Sequence, residues 1–600
     1  MKLALPILLA ASVAGAALAQ SAPESILPPG FGDPAPPAPT PTPTPASPDS
    51  PATPGTAAPR PSRAPDLSQL EDIVTAETLD DEALPVEVPP PVEYRDDRRR
   101  DPAMTGILWP DSIGLIGEPW GSASAKFLSV VLRRTDGPLA SRWAQIGLRN
   151  VLLARTAAPR GVVPADWVAE RAWLLLKLGE ADSARLLVAG IDSDTFTPKM
   201  VQVAAQVALA SSDPAGLCAI EAELPKVEPR IAPLVTAMCA SLAGEGERAA
   251  ADIEQARRRS KLTAIDVALA DKVVGAGADT ARAVTIEWEP VNLLTSWRYG
   301  LSTATAMMPP DRLLNEAAPQ VRGWLARSPM FAAPQKMAAA RTAAAMGVMS
   351  SDAMVDLYSA AYDYTDPDEL GGTDPWRLRQ AFVGKDRETR LTALRGLWGK
   401  NSDREKQMAG WVTTARASAL MAPDAALKDD AADLIAALFA GGYDRQAARW
   451  VRVVEGFDDE AGDRAWAMLA LGLGAPAGLT IDQGRIDDFA DRDASAGKRR
   501  TRLLIAGLAG LGRIDPQVAG RLNARYGLGL DRKTVWTGLI DGAALRRQAG
   551  TAMLLAASAM QAPTIGDVPA LYMFHAVTAL RRTGQDGVAR MIAAEALARA

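Results

Sequence analysis

From about residue 105 to the C-terminus, apolar residues recur at the spacing of an α-helix, in segments that short turns separate. Ala and Leu supply most of these apolar residues, and both favour helix. Val and Ile rarely alternate with polar residues, so the pattern gives strands little support. Several segments open near a proline, where the missing amide donor costs no hydrogen bond: Pro138, Pro164, Pro198 and Pro214. The sequence therefore predicts an all-α chain of antiparallel helix hairpins.

Several hairpins share a Gly that is followed five residues later by an Ala, with an apolar run on each side. The pairs are Gly179 and Ala184, Gly244 and Ala249, Gly442 and Ala447, and Gly584 and Ala589. Gly lets the chain leave a helix through a left-handed conformation, and the small Ala lets the two helices approach closely. This spacing resembles the helix-turn-helix unit of tetratricopeptide and Sel1-like repeats. The resemblance implies an α-solenoid, in which stacked hairpins bury a continuous core.

The helical pattern also suggests where the chain divides. It is interrupted around 276–310, where Gly-, Pro- and Thr-rich stretches replace the apolar stripes. We therefore predict two helical-repeat domains, an N-terminal one over 104–290 and a C-terminal one over 291–600.

The N-terminal residues predict export. Residues 1–19 combine Lys2, an apolar run and the small-residue sequence Ala17-Leu18-Ala19, which is typical of a signal peptide that is cleaved after Ala19. Residues 20–103 are Pro-rich and then acidic, so we predict a disordered linker. No later apolar run is long enough for a membrane span. The expected location is the bacterial periplasm.

The chain has two cysteines, and the predicted export affects whether they form a disulfide. Cys239 lies on an apolar stripe with Val235 and Met238, and Cys218 lies on the preceding segment, with the predicted turn 224–230 between them. Neighbouring helices of an exported protein favour a disulfide, and two separate buried thiols are the alternative. Closing a loop of this size stabilises the fold by about 3 kcal/mol on the chain-entropy model.

The motifs G-x-S-x-G, H-E-x-x-H and the Walker loop are absent from the sequence. The single histidine, His575, lies in an apolar helical segment and is predicted to be a packed residue. Periplasmic superhelices also occur in soluble lytic transglycosylases, which carry a catalytic Glu followed by Ser. After residue 450 the glutamates are Glu455, Glu460 and Glu595, and none precedes a Ser. We therefore predict a non-enzymatic protein with no catalytic residues.

The acidic stretch 363–376 is the remaining candidate for a metal. Its carboxylates could gather around Ca²⁺, but their order does not match an EF-hand, so a solvated loop is the default prediction. They are Asp363, Asp366, Asp368, Glu369 and Asp374. Two cysteines are too few ligands for structural zinc. We predict no metal and no cofactor.

The leading functional hypothesis is a periplasmic scaffold that binds protein or peptide partners of the cell envelope along a solenoid groove. A net charge of −6 spread over 600 residues gives no basic face for nucleic acid. The alternatives are an accessory protein that binds peptidoglycan or another envelope polysaccharide, and a cryptic envelope hydrolase. Tryptophans on predicted helices could pack in the core or line a groove: Trp143, Trp167, Trp173, Trp324, Trp411, Trp450 and Trp466.

Overall fold

The computed structural model describes residues 94–259, 262–278, 284–399 and 403–600. The predicted signal peptide and residues 20–93 of the predicted linker lie outside the described residues. Within the described ranges the chain is built almost entirely of helices, so the all-α prediction is confirmed there. The solenoid arrangement and the boundary between two domains stay predictions.

The α-helices are numbered in chain order. The N-terminal third holds α1 (Ala125–Arg134), α2 (Arg142–Leu153), α3 (Pro164–Lys177), α4 (Ala181–Val188), α5 (Pro198–Ala210), α6 (Leu224–Val227), α7 (Ala232–Leu242), α8 (Gly246–Arg259) and α9 (Ala264–Gly277). The middle holds α10 (Ser296–Ala304), α11 (Asp311–Glu316), α12 (Pro319–Arg327), α13 (Ala333–Met346), α14 (Ser351–Tyr364), α15 (Asp374–Val383), α16 (Arg387–Trp398) and α17 (Arg404–Ser418).

The C-terminal part continues in the same way. It holds α18 (Lys428–Ala440), α19 (Asp444–Ala448), α20 (Val451–Val454), α21 (Glu460–Gly472), α22 (Gln483–Arg492), α23 (Arg499–Gly510), α24 (Pro516–Tyr526), α25 (Val535–Leu545), α26 (Ala549–Ala559), α27 (Ala570–Arg582) and α28 (Asp586–Arg599). Short 3-10 helices cover Asp96–Arg98, Pro110–Ile113, Ser193–Thr195, Pro214–Ile220, Ala425–Leu427, Ala496–Lys498 and Ile565–Asp567.

One short strand pair accompanies the helices. Strand β1 (Met104–Thr105) runs antiparallel to β2 (Thr156–Ala157), with Met104 opposite Ala157 and Thr105 opposite Thr156. Two residues are too few to show an alternating pattern, so the sequence did not predict the pair. It fastens the segment before α1 to the turn after α2.

The last ten residues of the predicted linker pack on the helical region. The Arg99 guanidinium lies 2.7 Å from an Asp194 carboxylate oxygen, and the backbone N–H of Arg100 donates to Asp192 at 2.9 Å. The Tyr94 hydroxyl lies 3.2 Å from that of Ser193. Residues 94–103 are therefore part of the folded region, which begins earlier than the predicted boundary at 104.

The predicted role of the prolines is correct at three of the four positions. Pro164 and Pro198 occupy the first turn of α3 and α5, and Pro214 opens a 3-10 helix. Pro138 does not open a helix, because α2 begins later and takes Ser141 as its N-cap, with the Ser141 hydroxyl accepting from the backbone N–H of Ala144. A serine cap satisfies a free N–H that a proline could not.

The turns between hairpins share one geometry. The four predicted turn glycines have φ between +79° and +87°, and the four paired alanines are fully buried. A bond that spans five residues closes each turn, as when the N–H of Glu180 donates to the carbonyl of Leu175. The same bond closes turns where Ser212, Ala306 and Arg547 hold a positive φ without being glycine. The Gly-to-Ala spacing in the sequence therefore does not identify these three left-handed turns.

Arg547→Gly should stabilise the fold. Arg547 is exposed with φ +55°, and Ala552, five residues later, is fully buried like the alanines of the predicted pairs. A side chain in the left-handed region is strained, and Gly removes that strain at some cost in unfolded-state entropy. We expect a net gain of about 0.5–1 kcal/mol in the free energy of unfolding, measured by urea denaturation. The neighbouring Arg546→Gly, at φ −86°, is the control and should give no gain. A destabilised Arg547→Gly would contradict the prediction.

The first long helices pack on the last ones. Helix α2 contacts α26 and α28, and α1 contacts α26. Repeats of a solenoid contact only their neighbours in sequence. These contacts are a departure from that simple stacking, because they join parts of the chain that are more than 400 residues apart.

Candidate functional site

The cysteine prediction is confirmed. Cys218 lies in the 3-10 helix Pro214–Ile220 and Cys239 in α7, and they form a disulfide with their Cα atoms 5.6 Å apart. The predicted turn between them is partly helical, since it contains α6. Both cysteines of the sequence are used in this bond, which joins two packed helices and leaves no thiol for catalysis.

Most of the tryptophans are core residues. Five of the seven that were predicted on helices are buried: Trp167, Trp324, Trp411, Trp450 and Trp466. Trp143 and Trp411 face an apolar cavity between α2, α17, α18, α21 and α28, which measures only about 10 Å³. A space of that size holds about one water at most. This cavity is a packing defect and does not form a groove for a ligand.

His575 is buried, and both of its ring nitrogens are engaged. Nδ1 lies 2.7 Å from an Asp541 carboxylate oxygen, and Nε2 lies 3.2 Å from the backbone carbonyl oxygen of Leu530. Only 4% of the residue is exposed. With neither nitrogen open to solvent, this histidine is a packed residue and cannot serve as a proton carrier for a substrate.

The carboxylates of the acidic stretch 363–376 are divided between two helices and the loop that joins them. Asp363 belongs to α14 and Asp374 to α15, so only the residues between those helices form the loop. Asp374 is paired with Arg341 and Arg377. Across the part of the chain that the structure describes, no group of three or more His, Cys, Asp or Glu side chains is placed to hold a metal.

A second cavity has a different character, and we call it the basic cavity. It measures about 190 Å³ and lies among α13, α14, α15, α16 and α17. Its lining residues come from all five helices: Arg341, Tyr358, Asp374, Arg377, Gly396, Leu397, Lys406, Ala409, Gly410 and Thr413. Of these residues, only Asp374 belongs to the acidic stretch that the sequence offers as a possible cation ligand.

Local capping places the charged residues of the basic cavity. Thr373 caps α15 by accepting from the N–H of Trp376, which puts Asp374 and Arg377 on the first turns of that helix. Asp403 caps α17 by accepting from the N–H of Lys406 at 2.7 Å. Both are cap residues of the kind that start helices, so the two helices begin at the cavity.

The lining of the basic cavity has more positively charged than negatively charged side chains. Asp374 lies 3.3 Å from the guanidinium of Arg341 and 2.9 Å from that of Arg377, one carboxylate oxygen to each. No other carboxylate of the described residues pairs with these two arginines, and none of them pairs with Lys406. The lining therefore has three cations and one carboxylate, which pairs with the two arginines.

The floor of the basic cavity carries hydroxyl groups. The Thr413 hydroxyl donates to the carbonyl of Ala409 at 2.8 Å, and it interacts with the Tyr358 hydroxyl. Burial raises the pKa of Tyr358 to about 12. The phenol is therefore neutral at ordinary pH and leaves the positive charge of the cavity intact.

The glycines of the basic cavity set its walls. A Cβ on Gly410 would lie 2.3 Å from the carbonyl oxygen of Leu397, so Gly410 lets α16 and α17 come into contact. A Cβ on Gly396 would lie 3.2 Å from Cδ of Arg377. The glycine at 396 therefore leaves the space that the arginine side chain needs.

None of the helices in the described ranges is both long enough and apolar enough to cross a lipid bilayer. No protein-family model, no curated protein and no solved structure matches the chain. The likeness to tetratricopeptide and Sel1-like repeats therefore stays a resemblance in the turn residues.

Proposed function

We propose that this chain is an exported, non-enzymatic helical scaffold of the bacterial cell envelope, which binds protein or peptide partners. The observation that carries the proposal is the outer face of α25. Its inner face, with Ile540 and Ala543, packs on α26 and α27, and its outer face exposes Val535, Leu539 and Leu545. Val535 is 84% exposed and Leu545 71% exposed. Large apolar side chains exposed along one helix face are a feature of interaction surfaces.

The surroundings of this face indicate the chemistry of the partner. Arg532 and Lys533 precede α25, and Arg546 and Arg547 follow it, all four exposed. Gly538, on the same outer face, has no neighbouring atom within 4 Å of a built Cβ, so another chain could approach the helix closely. An apolar peptide or helix with acidic residues at its ends fits this pattern.

Two features support the location. The disulfide between Cys218 and Cys239 favours an oxidising compartment, and the predicted signal peptide would deliver the chain to one. The scaffold would then meet its partners outside the cytosol.

A binder of envelope polysaccharide is the second candidate. Trp109 is 65% exposed, and Trp376, on α15 beside the cavity residue Arg377, is 36% exposed. Exposed aromatic rings are the side chains on which sugars stack. This hypothesis needs those two rings, whereas the scaffold hypothesis needs α25.

Affinity capture from envelope extracts tests the proposal. We expect the chain over 20–600 to capture a reproducible set of proteins, and the double variant Val535→Asp/Leu545→Asp to lose it. Leu186→Asp, at a 55% exposed leucine of α4, is the matched control and should keep the set. Direct binding of each purified protein to the chain and to the double variant then identifies the partner.

Two outcomes would count against the scaffold. One is an identical set of proteins captured by the chain and the double variant. The other is capture of polysaccharide without protein, abolished by Trp376→Ala, which would favour the second candidate.

A further inference from the structure

We infer that the basic cavity is a binding site for a small anion that carries a phosphate or carboxylate group. This inference goes beyond the scaffold function and does not depend on it, because it concerns a different part of the chain from α25.

Charge is the first reason. Arg341, Arg377 and Lys406 face one carboxylate, Asp374, so the lining carries an excess of two positive charges. Asp374 uses both of its oxygens on the arginines and holds the two guanidinium groups on one side of the cavity. The remaining N–H groups of a guanidinium form a fork that matches the two oxygens of a carboxylate or phosphate.

Helix geometry adds to that charge. Asp374 is the first residue of α15, and Lys406 lies in the first turn of α17. The N-terminus of an α-helix carries a partial positive charge, which favours an anion nearby. The Asp403 carboxylate already caps α17, whereas the cap of α15 is the neutral Thr373, so the N-terminus of α15 is the one that adds to the charge of the cations.

Size and lining define the class of ligand. The basic cavity measures about 190 Å³. That space suits a phosphate or a short dicarboxylate, and it is smaller than the pocket of a drug-sized ligand. The Tyr358 phenol is a polar group of the lining, while Leu397 and Ala409 provide an apolar wall.

Other occupants fit less well. A metal cation would meet three like charges, and the one carboxylate is already shared by two arginines. A polymer such as nucleic acid binds along extended basic surfaces, whereas these cations line one small cavity among five helices.

Isothermal titration calorimetry of the full mature chain tests the inference. Sodium phosphate and sodium succinate are titrated separately in chloride buffer, and at least one of them should show saturable binding. We expect Lys406→Glu to weaken that binding at least tenfold, because it reverses a lining charge. Lys406 is exposed and forms no ion pair with another described residue, so the variant should fold, which circular dichroism checks.

Arg445→Ala is the matched control, because Arg445 is an exposed arginine on α19 outside the cavity. It should bind the anion as the unmodified chain does, and ethanolamine hydrochloride should not bind. Saturation by phosphate alone would identify a tetrahedral oxyanion as the ligand group, and saturation by succinate alone a carboxylate. The inference is wrong if neither anion binds, if Lys406→Glu binds with unchanged affinity, or if ethanolamine binds as well as the anions.

Discussion

We expect Glu595→Ala to lower the free energy of unfolding by about 3–5 kcal/mol, because it breaks a buried charged network. Glu595, on α28, is only 6% exposed. Its carboxylate accepts from the hydroxyl of Ser141 at 2.6 Å and from the backbone N–H groups of Arg142 and Trp143 at 2.9 and 3.2 Å. It also pairs with Arg599 at 2.6 Å. Alanine would leave these largely buried donors without their carboxylate acceptor.

Urea denaturation followed by circular dichroism measures this effect. Hydrogen exchange should rise first in α2 and α28, because Glu595 joins those two helices. Glu460→Ala is the control: the carboxylate is 59% exposed and lies 3.6 Å from Arg500. A surface pair of this kind contributes about 0–1 kcal/mol. Equal losses in the two variants would refute the assigned role of Glu595.

Arg171→Met should have an effect of similar size, a loss of about 3–5 kcal/mol, because it leaves three buried carbonyl oxygens without a donor. Arg171, on α3, is fully buried and donates to the carbonyls of Leu152, Thr105 and Ala154 at 2.7 to 2.9 Å. Burial lowers the pKa of Arg171 to about 9, so the guanidinium stays protonated at neutral pH. Methionine keeps much of the side-chain volume and removes every donor.

Urea denaturation also measures the stability of Arg171→Met. Hydrogen exchange at β1 and at the end of α2 reports the local effect of this substitution. Arg185→Met removes an arginine that is 57% exposed and paired with Asp213, and it should cost at most about 1 kcal/mol. Arg171→Lys should fall between the two, since one ammonium group reaches fewer carbonyls. The prediction is wrong if Arg171→Met lowers the free energy of unfolding no more than Arg185→Met does. Water or a shift of the backbone would then satisfy the three carbonyl oxygens.

Together these two residues hold the ends of α2. Glu595 contacts the N-terminus of the helix and Arg171 contacts its C-terminus, so an acid faces the positive end of the helix dipole and a base the negative end. Arg142 adds a third link, because its guanidinium donates to the carbonyl of Ala344 on α13. Burial lowers the pKa of Arg142 to about 10, and the nearby Glu595 opposes that shift.

Local sequence patterns predict the turns and the disulfide, but they do not predict the buried contacts of Glu595 and Arg171. The local sequence around Glu595 shows only that Ala follows it, where a lytic transglycosylase has Ser after its catalytic Glu. Its bond to Ser141 spans 454 positions, and no local pattern encodes such a pairing. The basic cavity was missed for the same reason, since Arg341, Asp374 and Lys406 lie on three different helices.

By itself the sequence determined the helices, their turns and the bond between Cys218 and Cys239. Helical periodicity, cap residues and left-handed glycines act over a few residues, and these can be recognised without knowing what packs where. Only the tertiary structure decided that α28 meets α2, that Asp374 lies between two arginines, and that the outer face of α25 stays uncovered. Those outcomes depend on how helices distant in sequence pack together, which local side-chain patterns do not specify.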